Sequence, residues 1–157
     1  GTAVGFSALL MSEYVPEECA ITTIENYEKR IPIARENFIR AEKEEQITLL
    51  EGDAKDVLET LTEPFDLIFM DAAKGQYLNF LPRVLELLQP EGILISDNVL
   101  QDGDIIESRF AVTRRNRTIH KRMREYLYTL THSEELTTAV LPVGDGITIS
   151  TKKGRKA

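Results

Sequence analysis

The order of apolar patterns limits most strongly how this chain can fold: amphipathic helical stretches alternate with short apolar runs, and the alternation breaks only near the end. Periodicity places helices over residues 6–14 (ended by Pro16), 27–41, 54–61 and 77–88. Between them lie strand-like runs over 20–24, 47–50, 65–70 and 93–96, the last following the turn Pro90-Glu91-Gly92. Ile31, Ala34, Phe38 and Ala41 fall on one face of the second helix, and Leu78, Leu81, Leu85 and Leu88 on one face of the fourth. Strand, helix and strand in succession make parallel pairs, because only a crossover can return the chain to the same edge. After a long helix from about 114 to 131, two strands (137–142 and 147–151) are separated only by a turn at Gly144-Asp145-Gly146. So short a connection closes an antiparallel hairpin. The expected fold is α/β, a mostly parallel sheet between helices with a C-terminal antiparallel hairpin.

With 157 residues, 42% of them hydrophobic, the chain can fill one core, and a single domain over 1–157 is expected. No run of about 18 uncharged apolar residues occurs and no secretory leader is visible, so the expected location is the cytoplasm. Cys19 is the only cysteine, which excludes an internal disulfide and a cysteine-based zinc cluster; a small buried side chain is its expected role. The net charge of -7 is unevenly spread. Residues 1–100 hold 8 Lys/Arg against 19 Asp/Glu, and residues 101–157 hold 11 against 7, so an anionic partner should approach the C-terminal third. The polar basic tail at 152–157 is expected to fray. Glycine turns such as Gly1–Gly5 normally follow a strand, so a first strand is expected ahead of Gly1, and a protein starting there should have weak activity or none.

Ligands of open α/β sheets sit at the carboxyl ends of the strands, and the chemistry-bearing residues fall there. In Gly1-Thr2-Ala3-Val4-Gly5-Phe6-Ser7, the glycines permit a sharp turn and the following helix start presents free N–H groups to a carboxylate. Ser7 adds a hydroxyl. Alone, this turn is equally an ordinary strand–helix connection. Glu25, 20 residues past Gly5, stands where an acidic side chain can accept from two ribose hydroxyls. The turn lacks the third glycine of a pyrophosphate cradle and suits a methionine carboxylate better. In Gly52-Asp53-Ala54, Asp53 either accepts from an adenine amine or caps the helix that begins at Ala54.

Asp71 and Asp97 end strands separated by one helix, so they should be neighbours, with Asn98 alongside. Two carboxylates and an amide oxygen suit Mg²⁺ at about 2.1 Å, or Mn²⁺ or Ca²⁺. The bland alternative is that strand-end Asp and Asn cap helices. Lys74 is either a general base beside a metal-bound oxygen or a counter-charge to Asp71.

The motifs Gly1-Thr2-Ala3-Val4-Gly5-Phe6-Ser7, Asp71-Ala72-Ala73-Lys74-Gly75-Gln76-Tyr77 and Ser96-Asp97-Asn98-Val99-Leu100 resemble the metal-dependent O-methyltransferases of the catechol and caffeoyl-coenzyme A type. The likeness covers essentially the whole chain. It implies a Rossmann-like class I methyltransferase sandwich whose first strand is missing from this sequence, S-adenosylmethionine as methyl donor, and a divalent metal. It also implies Asp71, Asp97 and Asn98 as metal ligands, Lys74 as base, and Ser7 and Glu25 gripping the cofactor. Gly1, Gly5, Gly52, Asp53, Ala54 and Asp71 complete the expected cofactor-contacting set. Many relatives carry a second acid where this chain has Ala73, which weakens any transfer of the plant enzymes' substrate preference.

The stretch from Thr113 to Arg124, and later Leu141-Pro142-Val143-Gly144-Asp145-Gly146, is similar to a bacterial subgroup that methylates 5-hydroxyuridine at the tRNA wobble position. Arg114, Arg115, Arg117, Lys121, Arg122 and Arg124 put six cations in eleven residues. On a helix, Ile119, Met123, Tyr126, Leu127 and Leu130 would face inward, leaving Arg117, Lys121, Arg124 and Tyr128 on another face. Arg114, Arg115, Arg117, Lys121 and Arg124 are the expected RNA contacts, with Tyr128 as a stacking surface; a solvated face or homodimer packing is the alternative. His120 reads as a hydrogen-bonding or phosphate-contact residue and His132 as a helix-end residue. A 5-hydroxyuracil and a catechol both offer two adjacent oxygens, so a catechol-like small molecule remains the alternative substrate. A noncatalytic RNA-binding module is the reading from a different class.

Overall fold

The computed structural model describes residues 1–108 and 110–154, with only the backbone of Asp102. The tail residues 155–157, expected to fray, lie outside the described residues. The chain divides into two compact units, Gly1–Leu61 and the residues from Thr62 onward.

The first unit runs α1 (Phe6–Ser12), β1 (Ile21–Glu25), α2 (Ile31–Arg40), β2 (Ile47–Glu51) and α3 (Ala54–Thr60). β1 and β2 pair in parallel from Ile21↔Ile47 to Glu25↔Glu51, with α2 as the crossover between them. α2 begins four residues later than the apolar pattern suggests. Pro32 occupies its first turn, where a missing N–H costs nothing, and residues 27–30 form a turn. Ile31, Ala34 and Phe38 are buried and pack with Ala8, Ile47 and Leu49. Ala41, expected on that face, caps the helix and is exposed, because the chain turns away at Glu42 (φ 56°). Cys19 is exposed in the approach to β1, contrary to its expected burial. It precedes the strand and takes no part in the alternation that turns residues inward.

The second unit runs β3 (Phe65–Met70), a 3₁₀ turn (Lys74–Gln76), α4 (Tyr77–Leu87), β4 (Leu88–Ser96), a 3₁₀ segment (Gln101–Ile106), α5 (Arg117–His132), β5 (Leu136–Leu141) and β6 (Ile147–Lys152). Its four strands are ordered β3-β4-β6-β5. β3 and β4 are parallel, whereas β6 runs antiparallel to both β4 and β5. The expected hairpin therefore forms, and its second strand inserts beside β4. Lys152 closes β6 instead of belonging to a loose tail, and its Nζ donates to Leu85 O and Leu88 O at 2.6 and 2.7 Å.

Pro90-Glu91-Gly92, expected as a turn before a strand at 93, lies inside β4 as an irregularity. The register jumps from Phe65↔Leu88 to Leu67↔Ile93, and Glu91 takes φ 67°. A Cβ on Gly92 would meet Gln89 O at 2.8 Å and Asp66 O at 3.1 Å.

The buried stripe of α4 is Tyr77, Phe80, Leu81, Val84 and Leu87, while Leu78 and Leu85 are only half-buried. Tyr77 and Phe80 carry enough apolar surface to rotate the helix away from the leucine-only stripe. In α5 the fully buried row is His120, Met123, Tyr126 and Leu130, and Ile119 and Leu127 flank it half-buried. No helix among the described residues is long and apolar enough to cross a membrane.

Candidate active site

In the first unit, Ala3 (φ 51°) and Gly5 (φ 92°) are left-handed, which makes the N-terminal turn tight. A Cβ on Gly5 would stand 2.5 Å from Phe38 Cε1, so both conformation and space call for glycine. The Thr2 N–H donates to Ile24 O at 2.9 Å, and the hydroxyls of Thr2 and Thr23 are 2.8 Å apart, fastening the turn to β1.

Glu25 completes that fastening. Its Oε2 accepts the Ala3 N–H at 2.7 Å, and its Oε1 accepts those of Tyr27 at 2.9 Å and Asn26 at 3.1 Å. Burial alone would raise its pKa, but the backbone donors of Tyr27, Ala3 and Asn26 win, and the carboxyl stays below its ordinary value. A carboxylate has about four acceptor positions, and these N–H groups meet three. A ribose hydroxyl would therefore share Glu25 with the turn that Glu25 holds.

A Cβ on Gly1 would come within 2.8 Å of Glu25 Oε2, and the Gly52 N–H donates to Glu25 O at 2.9 Å. Gly1, Gly5, Glu25 and Gly52 thus gather at the carboxyl ends of β1 and β2. Asp53 caps α3, its Oδ1 accepting the Lys55 N–H at 2.9 Å, and Ala54 opens that helix. Ser7 is exposed in the first turn of α1.

In the second unit, Met70 and Ser96 are register partners, so Asp71 and Asp97 begin adjacent loops at the carboxyl end of the parallel pair. The Asp97 N–H donates to Met70 O at 3.0 Å. Asp97 Oδ1 accepts the Asn98 N–H at 2.7 Å, and Asn98 is left-handed at φ 55°, a conformation asparagine tolerates. The hairpin loop braces this segment: the N–H groups of Val99 and Leu100 donate to Gly146 O and Asp145 O at 2.9 and 2.8 Å. Asn98 Nδ2 lies 3.5 Å from Asp145 Oδ2, at the outer limit of a hydrogen bond. Lys74 is half-buried at the start of the 3₁₀ turn, and Arg122 Nη1 holds that turn against α5 by donating to Gly75 O at 2.8 Å.

Among the described residues no three His, Cys, Asp or Glu side chains gather as a metal cluster. A cation here would rest on Asp71, Asp97 and the Asn98 amide oxygen. These are hard oxygen donors, the chemistry that Mg²⁺, Mn²⁺ and Ca²⁺ select. Both carboxylates bear on the Tyr77 hydroxyl, whose pKa is pushed up to about 12 by burial first, then by the charges of Asp71 and Asp97. By donor type, two carboxylates and an amide oxygen suit a divalent cation.

The basic stretch divides. Arg114, Arg115, Lys121 and Arg124 are exposed and Arg117 is half-buried; Arg117 Nε donates to Val112 O at 3.3 Å and Arg124 Nη1 to Ile105 O at 3.2 Å. Lys121, Arg124, Ser108 and the buried His120 line an open depression of about 490 Å³, and His120 Nε2 lies 3.2 Å from Glu107 O. His132 ends α5 with Nδ1 3.0 Å from Tyr128 O. Its ring stacks on Tyr128 at 3.9 Å, so one face of that tyrosine is already covered.

Each unit holds one parallel strand pair joined by a crossover helix, the second extended by an antiparallel hairpin, and polar residues stand at the carboxyl ends of the parallel strands; this is an α/β fold. Residues 1–153 match the family model described as O-methyltransferase, and the chain belongs to that family. A catechol O-methyltransferase of Niastella koreensis is 33% identical over 111 residues, covering 68% of this chain and 50% of that protein. Caffeoyl-CoA O-methyltransferase 2 of Populus trichocarpa is 31% identical, covering 95% of this chain and 63% of that protein. This chain therefore spans between half and two thirds of these relatives' length. The SAH-bound methyltransferase PaMTH1 of Podospora anserina matches with a TM-score of 0.85 and 30% identity, covering 98% of this chain and 69% of that one.

Sequence reasoning passed over four residues that shape the site. In the sequence Tyr77 is only the end of a motif, Tyr126 core, Arg122 one of six cations in the basic stretch, and Asp145 a turn residue. Nothing in their local pattern points to the strand ends, because each reaches them across the fold.

Proposed function

We propose that this protein transfers a methyl group from S-adenosylmethionine to a hydroxyl oxygen that has a second oxygen beside it, with a divalent cation as cofactor. The observation that carries the reading is the pairing of Asp71 and Asp97 at adjacent strand ends, with Asn98 next to them. Membership of the O-methyltransferase family supports the reaction class. Gly1, Gly5, Ser7, Glu25 and Gly52–Ala54, all in the first unit, are assigned to the methyl donor. A divalent cation held by Asp71, Asp97 and Asn98 would supply Lewis acidity, lowering the pKa of the acceptor hydroxyl and fixing its two oxygens. Lys74 receives the hydroxyl proton in this scheme, and Arg122 keeps the Lys74 turn in place through Gly75 O.

A catechol-like diol is the acceptor class favoured by the named relatives, a catechol and a caffeoyl-CoA O-methyltransferase. A second reading, 5-hydroxyuridine in a tRNA anticodon loop, is favoured by the exposed Arg114, Arg115 and Lys121. The two acceptors present the same pair of oxygens, so one assay separates them. Purified protein is given radiolabelled S-adenosylmethionine and Mg²⁺, with either a catechol or tRNA bearing 5-hydroxyuridine. EDTA-sensitive label in the diol supports the first reading, and label in tRNA the second. Cofactor binding with transfer to neither acceptor would defeat both.

A further inference from the structure

We propose that Tyr77 is a positioning residue for the cation site, its hydroxyl clamping together the two strand ends that carry Asp71 and Asp97. This inference rests on the cation reading above. The Tyr77 hydroxyl donates toward Asp97 O at 2.9 Å and Met70 O at 3.2 Å. A phenol has one proton, so the two carbonyls share it. One hydroxyl thus touches the main chain immediately before Asp71 and at Asp97 itself.

The ring that carries this hydroxyl is held firmly. Tyr77 is 1% exposed and opens α4, so its Cα is set by the helix and its ring by the core. Tyr126 of α5 packs against it edge to face, with centroids 5.2 Å apart and planes at 78°. The Tyr126 hydroxyl is itself 2.6 Å from Ser96 Oγ, on the residue before Asp97. Two tyrosines from two helices therefore grip the end of β4, but only Tyr77 also reaches the loop of Asp71. β-sheet pairing between β3 and β4 ends at Met70↔Ser96, and beyond it the carboxylates depend on other contacts for their spacing. An O–H shared between Met70 O and Asp97 O ties the two strand ends together and opposes their separation. Such outer contacts commonly govern metal affinity about as strongly as 10–100-fold.

Tyr77→Phe removes one oxygen and leaves the ring. Tyr126→Phe, the comparison variant, removes the bond to Ser96 and leaves the Tyr77 hydroxyl. Mn²⁺ affinity is measured by electron paramagnetic resonance and by calorimetry, below the melting temperature of each protein, with Asp97→Ala as the reference for a lost ligand. The expected result is Mn²⁺ binding about tenfold weaker in Tyr77→Phe, within about twofold of wild type in Tyr126→Phe, and lost in Asp97→Ala. Unchanged affinity in Tyr77→Phe, alongside loss in Asp97→Ala, overturns the positioning role and leaves the cation reading standing. Equal weakening in both tyrosine variants reduces Tyr77 to a general structural role and also overturns the proposal. If wild type binds no Mn²⁺, or Asp97→Ala binds as well as wild type, the cation reading fails and this inference falls with it.

Discussion

Replacing Glu25 by glutamine tests whether that carboxylate holds the N-terminal turn. The side chain keeps its size, but its single remaining oxygen can serve only one side of the present arrangement. Placed where Oε1 stands, that oxygen keeps the N–H groups of Asn26 and Tyr27, and the new NH₂ then faces the Ala3 N–H. One charge-assisted bond is lost and the other two fall to neutral strength, a cost of about 3 kcal/mol. Urea unfolding followed by circular dichroism measures this directly, since the chain has no tryptophan to report by fluorescence.

The pH dependence has a definite sign. The folded pKa of Glu25 is below the ordinary 4.5, so its stabilisation is complete above 4.5 and is lost as pH falls through the lower folded value. The gap between wild type and Glu25→Gln should therefore close on acidification. A gap under about 0.5 kcal/mol at pH 7, well short of the bond loss estimated above, would refute the argument, as would one that does not change with pH.

Three further outcomes are expected. Gly5→Ala should destabilise the protein by about 2–4 kcal/mol in urea melts, combining a left-handed backbone with a collision against Phe38; adding Phe38→Leu should recover less than the full loss. The Tyr77 phenol resists ionisation up to about pH 12, so its contribution is complete below pH 10 and lost as pH rises through 12. Calorimetry should accordingly show the wild-type melting temperature falling more steeply than that of Tyr77→Phe across this range. Lys74→Met should slow methyl transfer by about 10²-fold or more while leaving cofactor binding, measured by calorimetry, close to wild type.

Strand and helix identities were legible because each follows local periodicity, and the residues that end them lie where the sequence places them: Glu25 closes β1, and Asp71 and Asp97 directly follow β3 and β4. The errors arose where a non-local or steric fact overrode the pattern. Pro32 delayed α2, Glu91 and Gly92 turned an expected loop into an irregular strand, and the rings of Tyr77 and Phe80 rotated α4 off its leucine stripe. The part Glu25 plays in holding the N-terminal turn was equally hidden, since spacing alone suggested a ligand and gave no sign of its three backbone partners.

By itself, the amino-acid order determined the α/β class, the antiparallel hairpin and the motif residues at each strand end, because periodicity and turn chemistry act over a few neighbouring residues. Tertiary structure alone decided that β6 inserts beside β4, that the hairpin loop braces Asn98 to Leu100, and that a hydroxyl on α4 ties Met70 to Asp97. Those contacts join residues 7 to 58 positions apart, and only the packed helices and completed sheet bring them within reach of a hydrogen bond.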